Sequence, residues 1–396
     1  MSQSADIVIG GAGIAGLALA LGLADAGMSV HVVERGARPK LPDTDSGLAG
    51  WDARVSALTA ASTSLLDHLG VWDDIAQARV GPYQQMSVWD AEGTGHINFS
   101  AAQLGASTLG HIVENRLVIN ALLAGVDRRK RITVSWDDGV SAVDVADGAV
   151  NATLASGAKI EASLLVGADG GRSTIRELVS LPVRAWSYDQ HAIVGTVELE
   201  ASHEDTCYQA FLSTGPLALL PLADKALCSI VWSLDNDVWE NIMSASDDDF
   251  VAQMNRALGP NCQEVLAVGP RAAFPLHQCH AVDYIAHRVA LVGDAAHAIH
   301  PLAGQGINLG LKDVAVLAGE LEQAWSSGMD VGSSVALKRF QRVRKTDNLA
   351  MMAAMEGFKR GFGSVNPAAR VLRNLGLNWV NQAGWLRDWF ARQAIS

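Results

Sequence analysis

Apolar runs alternate with glycine-rich turns and helix-like segments over much of the chain. Short, almost uninterrupted apolar runs, which are typical of strands buried on both faces, lie at 6–9, 29–33, 164–167 and 288–292. Apolar or amphipathic segments that favour helices lie at 17–26, 115–123 and 307–323. Strands that alternate with helices in this way predict an α/β layer, in which helices cover a parallel sheet.

The middle of the chain has a different pattern. Strand-like runs separated by turn residues lie at 192–199, 208–212, 217–222 and 227–233. A helix is predicted over 247–258, because Ser244–Asp249 supplies a cap and acidic residues for its first turn. We therefore expect a separate antiparallel β-sheet with a covering helix, joined by residues 84–99. Residues 329–396 have a helical pattern.

A glycine-rich turn follows the first predicted strand. Gly11, Gly13 and Gly16 form the pattern G-x-G-x-x-G, and Glu34 ends the second strand. In this setting the first glycine permits a tight turn, the second lets the backbone approach a pyrophosphate, and the third lets the helix pack against the strand. Backbone N–H groups at and after Ile14 would hold the phosphates. A carboxylate at position 34 favours the unphosphorylated ribose of FAD or NAD.

Two later motifs narrow the choice of cofactor. One apolar strand ends at Asp169, in an Asp-Gly pair, and another ends at Asp294, in a Gly-Asp pair. A turn through Gly304 and Gly306 then opens a further helix. With these three motifs in this order, the sequence resembles the aromatic-ring flavoprotein monooxygenases. The resemblance covers nearly the whole chain and implies non-covalent FAD on a Rossmann-like, para-hydroxybenzoate-hydroxylase-like α/β fold.

The third motif is expected to lie at the flavin ring. Asp294 can accept a hydrogen bond from a ribityl hydroxyl, and the positive end of the following helix would stabilise negative charge on the reduced flavin. The cofactor contacts of this segment are assigned to Gly304, Gly306, Ile307 and Asn308. No catalytic residue is identified, and the candidates for the reactive face of the flavin are His300, Pro301 and Gln305.

The resemblance assigns further residues to the cofactor. Arg54 matches an arginine that reaches the flavin in this family, and Arg35, beside Glu34, is placed over the adenine. A solvated surface arginine is the alternative at both positions. Asn115 and Arg116 open a helix whose start contacts ribityl or pyrophosphate oxygens in the family, and the sequence does not decide which of the two takes that role.

Several segments are similar to one branch of the family, the ubiquinone-biosynthesis hydroxylases; they lie at 110–115, 215–222, 228–233 and 293–310. The similarity is greatest to the hydroxylases that act on ring position C5 of 2-polyprenylphenol (2-octaprenylphenol), and relatives that act at C1 and C6 share most of the motifs. It implies hydroxylation of a polyprenylated phenol with NAD(P)H and O2. Another flavin-dependent reductase or halogenase, or a non-catalytic flavoprotein subunit of a complex, is the alternative.

Composition excludes other classes of function. The 30 basic and 42 acidic residues give a net charge of −12, which argues against nucleic acid as a partner. The four cysteines contain no C-x-x-C pair, which favours reduced thiols and the cytoplasm. His277–His280 and His297–His300 have ligand-like spacing, but without a second Cys/His pair we expect no metal. The uncharged run 7–24 is broken by five glycines, which favours strand, turn and helix over a membrane span.

The three motifs are far apart, so the flavin domain must be assembled from separate pieces of the 396-residue chain. We place this domain at residues 1–80, 101–183 and 271–328. The substrate domain is expected at 81–100 and 184–270, and a C-terminal helical region is expected at 329–396.

The end of the chain supplies a candidate contact with lipid. Apolar and aromatic side chains lie there among Arg387 and Arg392; they are Leu377, Trp379, Val380, Trp385, Leu386, Trp389 and Phe390. Tryptophan favours the lipid–water interface, and arginine can meet anionic headgroups. We therefore expect a cytoplasmic protein that docks peripherally on the inner membrane or in a biosynthetic complex, and a homo-oligomer is a further expectation. Packing of this face on the flavin domain or on a partner subunit is the alternative.

Overall fold

The computed structural model describes residues 3–40, 47–298 and 306–362. Its strands, in chain order, are β1 Gln3–Gly10, β2 Val30–Val33, β3 Val55–Leu58, β4 Val80–Tyr83, β5 Gln85–Asp90, β6 His96–Ser100, β7 Gly110–Glu114, β8 Ile132–Ser135, β9 Val140–Val145, β10 Val150–Leu154, β11 Lys159–Gly167, β12 Val183–Leu199, β13 Thr206–Leu212, β14 Gly215–Pro221, β15 Leu227–Asp235, β16 Val265–Val268, β17 Ala272–Ala281, β18 Ile285–Ala286, β19 Val289–Leu291 and β20 His297–Ala298. Its helices are α1 Ile14–Asp25, α2 Ala60–His68, α3 Trp72–Ala76, α4 Asn115–Asp127, α5 Thr174–Leu178, α6 Trp239–Met243, α7 Asp247–Leu258, α8 Gly306–Ser326 and α9 Ser334–Phe362. Short 3₁₀ turns lie at Leu48–Gly50, Ala102–Leu104, Gly259–Asn261 and Gly293–Ala295.

The first sheet forms the layer that the apolar runs predict. Its strand order is β18–β19–β11–β1–β2–β8, with β10 and β9 added beside β11. The pairs β19/β11, β11/β1, β1/β2 and β2/β8 are parallel, and Ile7 of β1 lies in register between Leu164 and Val30. These residues share one hydrophobic core with the buried faces of α1, α4 and α8. The strands and helices predicted for this layer are confirmed.

The second sheet is the one expected from the middle of the chain. Its order is β20–β17–β12–β15–β14–β13–β5–β6, with β16 beside β12. The helix predicted over 247–258 is confirmed as α7, which begins after the N-cap Ser246 and packs Phe250 against Trp232 at a ring-centroid distance of 5.7 Å. The sheet is not wholly antiparallel, because β5 and β13 run parallel. β5 enters the sheet from a distant part of the chain, so no hairpin dictates its direction.

A small antiparallel sheet of order β3–β7–β4 connects the two large ones. Its residues Ala57, Tyr83 and Ile112 share a hydrophobic cluster with Cys207 and Leu220 of the second sheet. β7 leads directly into α4, whose inner face belongs to the core of the first sheet. The small sheet thereby joins the two layers and forms one wall of the space between them.

Two long strands bear on the predicted domain boundaries. β12 and β17 are paired from Val183 opposite Ala281 to Val194 opposite Ala272. β17 therefore belongs to the second sheet by its hydrogen bonds, although the predicted boundary assigns 271–328 to the flavin domain. The division into domains stays a prediction.

Helices α8 and α9 pack against each other at the end of the described chain, and α8 also contacts α1. The helical pattern of 329–396 is confirmed over Ser334–Phe362. The candidate lipid-contact residues, from Leu377 to Arg392, lie outside the described residues. Among the helices that the structure describes, none combines the length and the apolar character needed to cross a bilayer.

Candidate functional site

The glycine-rich turn between β1 and α1 contains two glycines that the fold itself requires. Gly11 has a φ of 109°, and a Cβ there would lie 2.3 Å from the Ala168 carbonyl oxygen. A Cβ on Gly16 would lie 2.0 Å from the Gly11 carbonyl oxygen. Backbone conformation and close packing therefore explain these two positions without any ligand.

Gly13 has no such explanation. Its φ and ψ of −78° and −179° suit any residue, and a Cβ there would have no neighbour within 4 Å among the described residues. α1 begins at Ile14 without a side-chain cap, so the first N–H groups of the helix are available to an external acceptor. An open surface beside an uncapped, positive helix end fits the pyrophosphate of a dinucleotide such as FAD.

Glu34 is fixed beside this turn. One carboxylate oxygen accepts a hydrogen bond from the Ala12 N–H at 2.8 Å, and the other accepts from the Gly36 N–H at 2.9 Å. The side chain is half-buried, and the neighbouring Arg35 is exposed. The two backbone donors hold Glu34 at the end of β2, where its remaining lone pairs can accept from ribose hydroxyls.

The Asp169 and Asp294 segments lie side by side, because β11 and β19 are paired and end at the same edge of the first sheet. Asp169 accepts from Ser173 Oγ at 2.5 Å and from the Ile175 N–H at 3.1 Å. Both of its oxygens thus hold the start of α5. This observed role is structural, and the contact of Asp169 with the cofactor stays a prediction.

A buried arginine joins these two segments. Arg176 donates to the Ala295 carbonyl oxygen at 2.8 Å and to the Gly171 carbonyl oxygen at 2.9 Å. Its guanidinium therefore sets the distance between the loops that follow β11 and β19. No role was assigned to Arg176 from the sequence. The only sequence feature that could have indicated one is its position beside a glycine-rich motif.

Asp294 is open to solvent on one side and enclosed by protein on the others. The enclosing protein raises the pKa of its carboxyl group, although the charges of His297 and Arg54 oppose the shift. Arg54 is exposed, and its guanidinium lies 5.8 Å from the ring centroid of Phe274. An accessible carboxylate with an arginine nearby fits the predicted acceptor for a ribityl hydroxyl.

The loop that carries Asp294 rests on three buried charged or polar residues, Asp313, His297 and Arg344, which we call the Asp313 cluster. Asp313 accepts from the Gly293 N–H at 2.9 Å, from His297 Nε2 at 2.5 Å and from Arg344 Nε at 2.8 Å. Burial alone would raise the pKa of Asp313, but His297 and Arg344 hold it below its ordinary value. The ionised carboxylate therefore fixes the backbone one residue before Asp294. This cluster was not found from the sequence.

Asn115 and Arg116 have different environments at the start of α4. Arg116 donates to Glu114 Oε1 at 2.7 Å and to the Gly50 carbonyl oxygen at 2.7 Å. Asn115 accepts from Ser56 Oγ at 2.6 Å, while its NH2 group has no partner among the described residues. The geometry favours Asn115 as a donor to the cofactor, because Arg116 is committed to an ion pair within the protein.

The side chain of Asn308 is also used within the protein. Its Oδ1 accepts from the Thr59 N–H at 3.0 Å, and its Nδ2 donates to the Ala57 carbonyl oxygen at 2.7 Å. These bonds hold the first turn of α8 against β3 and the start of α2. A cofactor contact here would therefore fall to backbone N–H groups of this turn, which includes Gly306 and Ile307.

Four predicted residues lie outside the described part of the chain; they are His300, Pro301, Gly304 and Gln305. Of the histidines with ligand-like spacing, His277, His280 and His297 lie within the described residues. Within the described ranges, no group of three or more His, Cys, Asp or Glu side chains is arranged to hold a metal ion.

A cavity of about 60 Å³, which we call the ring cavity, lies between the second sheet and the small sheet. The residues that line it are uncharged; they are Ala57, Thr59, Tyr83, Met86, Cys207, Tyr208, Gln209, Ala218, Leu220 and Asn308. Burial raises the pKa of Tyr83, Tyr208 and Cys207, so these groups are neutral near pH 7. Asn308 places the cavity beside the start of α8. These lining residues were not identified from the sequence, although a glutamine within the apolar strand at Gln209 could have indicated a polar contact there.

Comparison with known proteins gives independent evidence for the family to which the chain belongs. The FAD binding domain family matches residues 4–336. The 3-demethoxyubiquinol 3-hydroxylase of Escherichia coli (strain K12) is 39% identical over 397 residues, covering 100% of this chain and 98% of that protein. The ubiquinone hydroxylase UbiL of Rhodospirillum rubrum is 36% identical, covering 99% of this chain and 89% of that protein.

Solved structures agree on the fold. The p-nitrophenol 4-monooxygenase PnpA from Pseudomonas putida DLL-E4 has a TM-score of 0.80 at 21% identity, covering 99% of this chain and 98% of that one. HpxO from Klebsiella pneumoniae, solved with FAD and uric acid, has a TM-score of 0.74 at 18% identity, covering 97% and 96%. The predicted para-hydroxybenzoate-hydroxylase-like α/β fold is thereby confirmed. The chain belongs to the FAD-dependent hydroxylases of ubiquinone biosynthesis, aromatic-ring monooxygenases that use NAD(P)H and O2.

Proposed function

We propose that this protein hydroxylates the ring of a polyprenylated phenol during ubiquinone biosynthesis, at ring position C5. The family supports the reaction class, and the resemblance of the chain to C5 hydroxylases supports the position. Hydroxylation of a demethoxyubiquinol-type ring is the second candidate. It is favoured by the 39% identity with the 3-demethoxyubiquinol 3-hydroxylase of E. coli.

FAD is proposed to lie in the groove formed by the glycine-rich turn, the end of β2 and the loop after β19, which we call the FAD groove. The pyrophosphate would lie against Gly13 and the first turn of α1, and the ribose would contact Glu34. The ribityl chain would contact Asp294 and Asn115. When bound and reduced by NAD(P)H, the flavin supplies the activation of O2 for transfer of one oxygen atom to the ring.

The ring cavity is the observation that carries the proposal. Its lining is uncharged, and Asn308 in its wall also holds the first turn of α8, which follows the predicted flavin-face segment. Walls of this kind exclude water and suit a neutral phenol rather than a charged ring. Neutral Tyr83 can donate a hydrogen bond to a ring oxygen there.

We further propose that the protein docks on the inner membrane, because a polyprenyl tail partitions into lipid. The candidate contact from Leu377 to Arg392 lies outside the described residues. Removal of residues 383–396 should reduce co-sedimentation with liposomes and the turnover of long-tailed phenols, while short-tailed phenols are still hydroxylated. Unchanged sedimentation and unchanged long-tail turnover would contradict this proposal.

A strain that lacks the gene tests the proposed function. Mass spectrometry should detect an accumulated polyprenylphenol without the C5 hydroxyl. Accumulation of a demethoxyubiquinol-type intermediate would instead support the second candidate. Wild-type protein should restore ubiquinone, whereas protein with the Gly13→Val change should not, because it would lack FAD. Unaltered intermediates in the deletion strain would contradict both candidates.

A further inference from the structure

Gln209 is a polar residue at the centre of an otherwise apolar part of the second sheet. It lies on β13 opposite Ala218 of β14 and Val88 of β5, so both neighbouring positions in the sheet are apolar. Its side chain lines the ring cavity and is 5% exposed. A glutamine in such a place is uncommon, because strands in this environment favour apolar or β-branched residues.

The Gln209 side chain makes no hydrogen bond to any of the residues that the structure describes. Other buried glutamines of the same sheet are satisfied: Gln190 donates to Asp235 Oδ1 at 2.9 Å, and Gln278 accepts from the Tyr188 hydroxyl. The amide is not fully enclosed by protein, and its polar atoms face the open space of the ring cavity. Packing therefore does not explain the choice of glutamine at position 209.

Tyr83 presents a second polar group of this kind to the same cavity. It is 8% exposed, and its hydroxyl likewise has no hydrogen-bond partner in the described parts of the chain. Tyr83 belongs to β4 of the small sheet and Gln209 to the second sheet, so two walls each contribute one free polar group. The amide and the hydroxyl can both donate and accept, which matches the hydroxyl of a phenol.

We propose that Gln209 and Tyr83 bind oxygen substituents of the phenol ring and thereby determine which ring carbon faces the flavin. This inference rests on the proposed function and adds a specificity determinant to it. Because neither residue carries a charge, the pair selects a ring with neutral oxygen substituents and gives no counter-charge for a carboxylate. Orientation of the ring then follows from two fixed contacts on opposite walls of the cavity.

The test is the Gln209→Met change, which keeps the length of the side chain and removes both polar groups. Binding of a short-chain polyprenylphenol is followed by the change in the flavin absorption spectrum, and product by mass spectrometry. We expect the dissociation constant to rise roughly three- to tenfold, as for loss of one neutral hydrogen bond. The yield of hydroxylated product per NAD(P)H oxidised should fall, and the Tm should stay the same or rise.

Two further variants separate a ligand contact from a structural role. Tyr83→Phe should weaken binding by a similar factor without lowering the Tm. Gln190→Met is the control, since it breaks a satisfied bond in the same sheet: its Tm should fall, with phenol binding unchanged. Unchanged binding and product yield in Gln209→Met, or a Tm lowered as much as in the control, would overturn the inference. Wild-type protein that binds the phenol without hydroxylating it would instead overturn the proposed function, and the binding measurements would still test the inference.

Discussion

The FAD groove and the ring cavity are built from different chemical groups. The groove consists mainly of backbone: the open turn at Gly13, the uncapped start of α1 and the loop around Asp294. The cavity consists of single side chains from β3, β4, β5, β13, β14 and the start of α8. A backbone site can stay constant while the substrate changes, whereas each side chain in the cavity can be exchanged to suit a different ring.

The two regions also differ in their buried polar groups. Beneath the groove, Asp313 accepts hydrogen bonds from Gly293, His297 and Arg344. In the cavity, Gln209 and Tyr83 have no side-chain partner among the described residues. A satisfied cluster makes a rigid frame, whereas unsatisfied groups are suited to a ligand. Changes beneath the groove should therefore alter stability and FAD retention, and changes in the cavity should alter substrate binding.

The largest effect is expected for Arg344→Met, because it removes the arginine whose charge stabilises the buried Asp313 carboxylate. Arg344 is 2% exposed, and it also donates to Asn348 Oδ1 at 2.7 Å. The free energy of unfolding should fall by roughly 3–5 kcal/mol, as for other broken buried pairs. Urea denaturation of FAD-saturated protein measures the change.

The matched control is Arg339→Met on the same helix. Arg339 is 47% exposed and lies 3.8 Å from Glu320, so its loss should cost less than about 1 kcal/mol. An Arg344→Met protein no less stable than this control would show that the Asp313 cluster does not hold the frame of the groove.

The second largest effect is expected for Gly13→Val, which places a side chain where the pyrophosphate would lie. Because a Cβ at Gly13 meets no described atom within 4 Å, the apoprotein should fold normally. FAD affinity should fall at least ~100-fold, equivalent to about 3 kcal/mol. Flavin absorbance after gel filtration and the Tm of the apoprotein measure the two quantities.

Gly148→Val is the control for this change, since Gly148 in the β9–β10 turn also has open space around a Cβ. This variant should retain FAD. Full flavin occupancy in the Gly13→Val protein would remove the glycine-rich turn from the FAD groove.

A smaller effect on the same affinity is expected for Asp294→Ala. Loss of one charged acceptor for a ribityl hydroxyl should weaken FAD binding roughly 10- to 100-fold, the range for hydrogen bonds to charged groups. Asp294→Asn should retain part of the affinity, because its amide oxygen can still accept. Titration of apoprotein with FAD measures both, and an unchanged affinity in Asp294→Ala would exclude the contact.

The smallest effect concerns pH. Burial, with smaller contributions from His297, Lys345 and Arg184, lowers the pKa of His280 to about 4. Protonation of His280 is therefore harder in the folded chain than in the unfolded chain, where its pKa is about 6.5. The stability that His280 contributes is present above pH 6.5 and is lost as the pH falls towards 4.

His280→Gln should accordingly reduce the loss of stability between pH 7 and pH 5 by about 1–2 kcal/mol. His277→Gln, at an exposed position of the same strand, serves as the control. Thermal denaturation at several pH values measures the difference. Identical pH dependence in the His280→Gln and wild-type proteins would contradict the assignment.

The sequence could predict the elements around the proposed FAD groove because their signals are local, and the cofactor contacts themselves stay predictions. Each motif residue stands at the end of a strand or the start of a helix, so the motif is enough to predict its place in the fold; these residues are Gly11, Gly16, Glu34 and Asp294. The Asp313 cluster was not predictable in this way, since His297 and Arg344 are 16 and 31 residues from Asp313 in the sequence. Only the packing of α8 and α9 beneath the loop brings them together.

The ring cavity was not predictable for the same reason. Its lining comes from segments as distant as Ala57, Gln209 and Asn308, and no motif joins them. The parallel pairing of β5 with β13 contributes to this, because it places Met86 beside Cys207 without a hairpin between them. The apolar pattern of β13 predicted the strand, but only the structure shows that Gln209 faces a cavity.

The central claim is that the FAD groove and the ring cavity bring a reduced flavin and a phenol ring together. The most direct measurement is to incubate FAD-loaded protein with NADH or NADPH, a polyprenylated phenol and ¹⁸O-labelled O2, and to analyse the product by mass spectrometry. We expect one labelled oxygen atom on the ring, and no such product from the Gly13→Val protein. Oxidation of NAD(P)H without a labelled product, or a new ring oxygen derived from water, would contradict the claim.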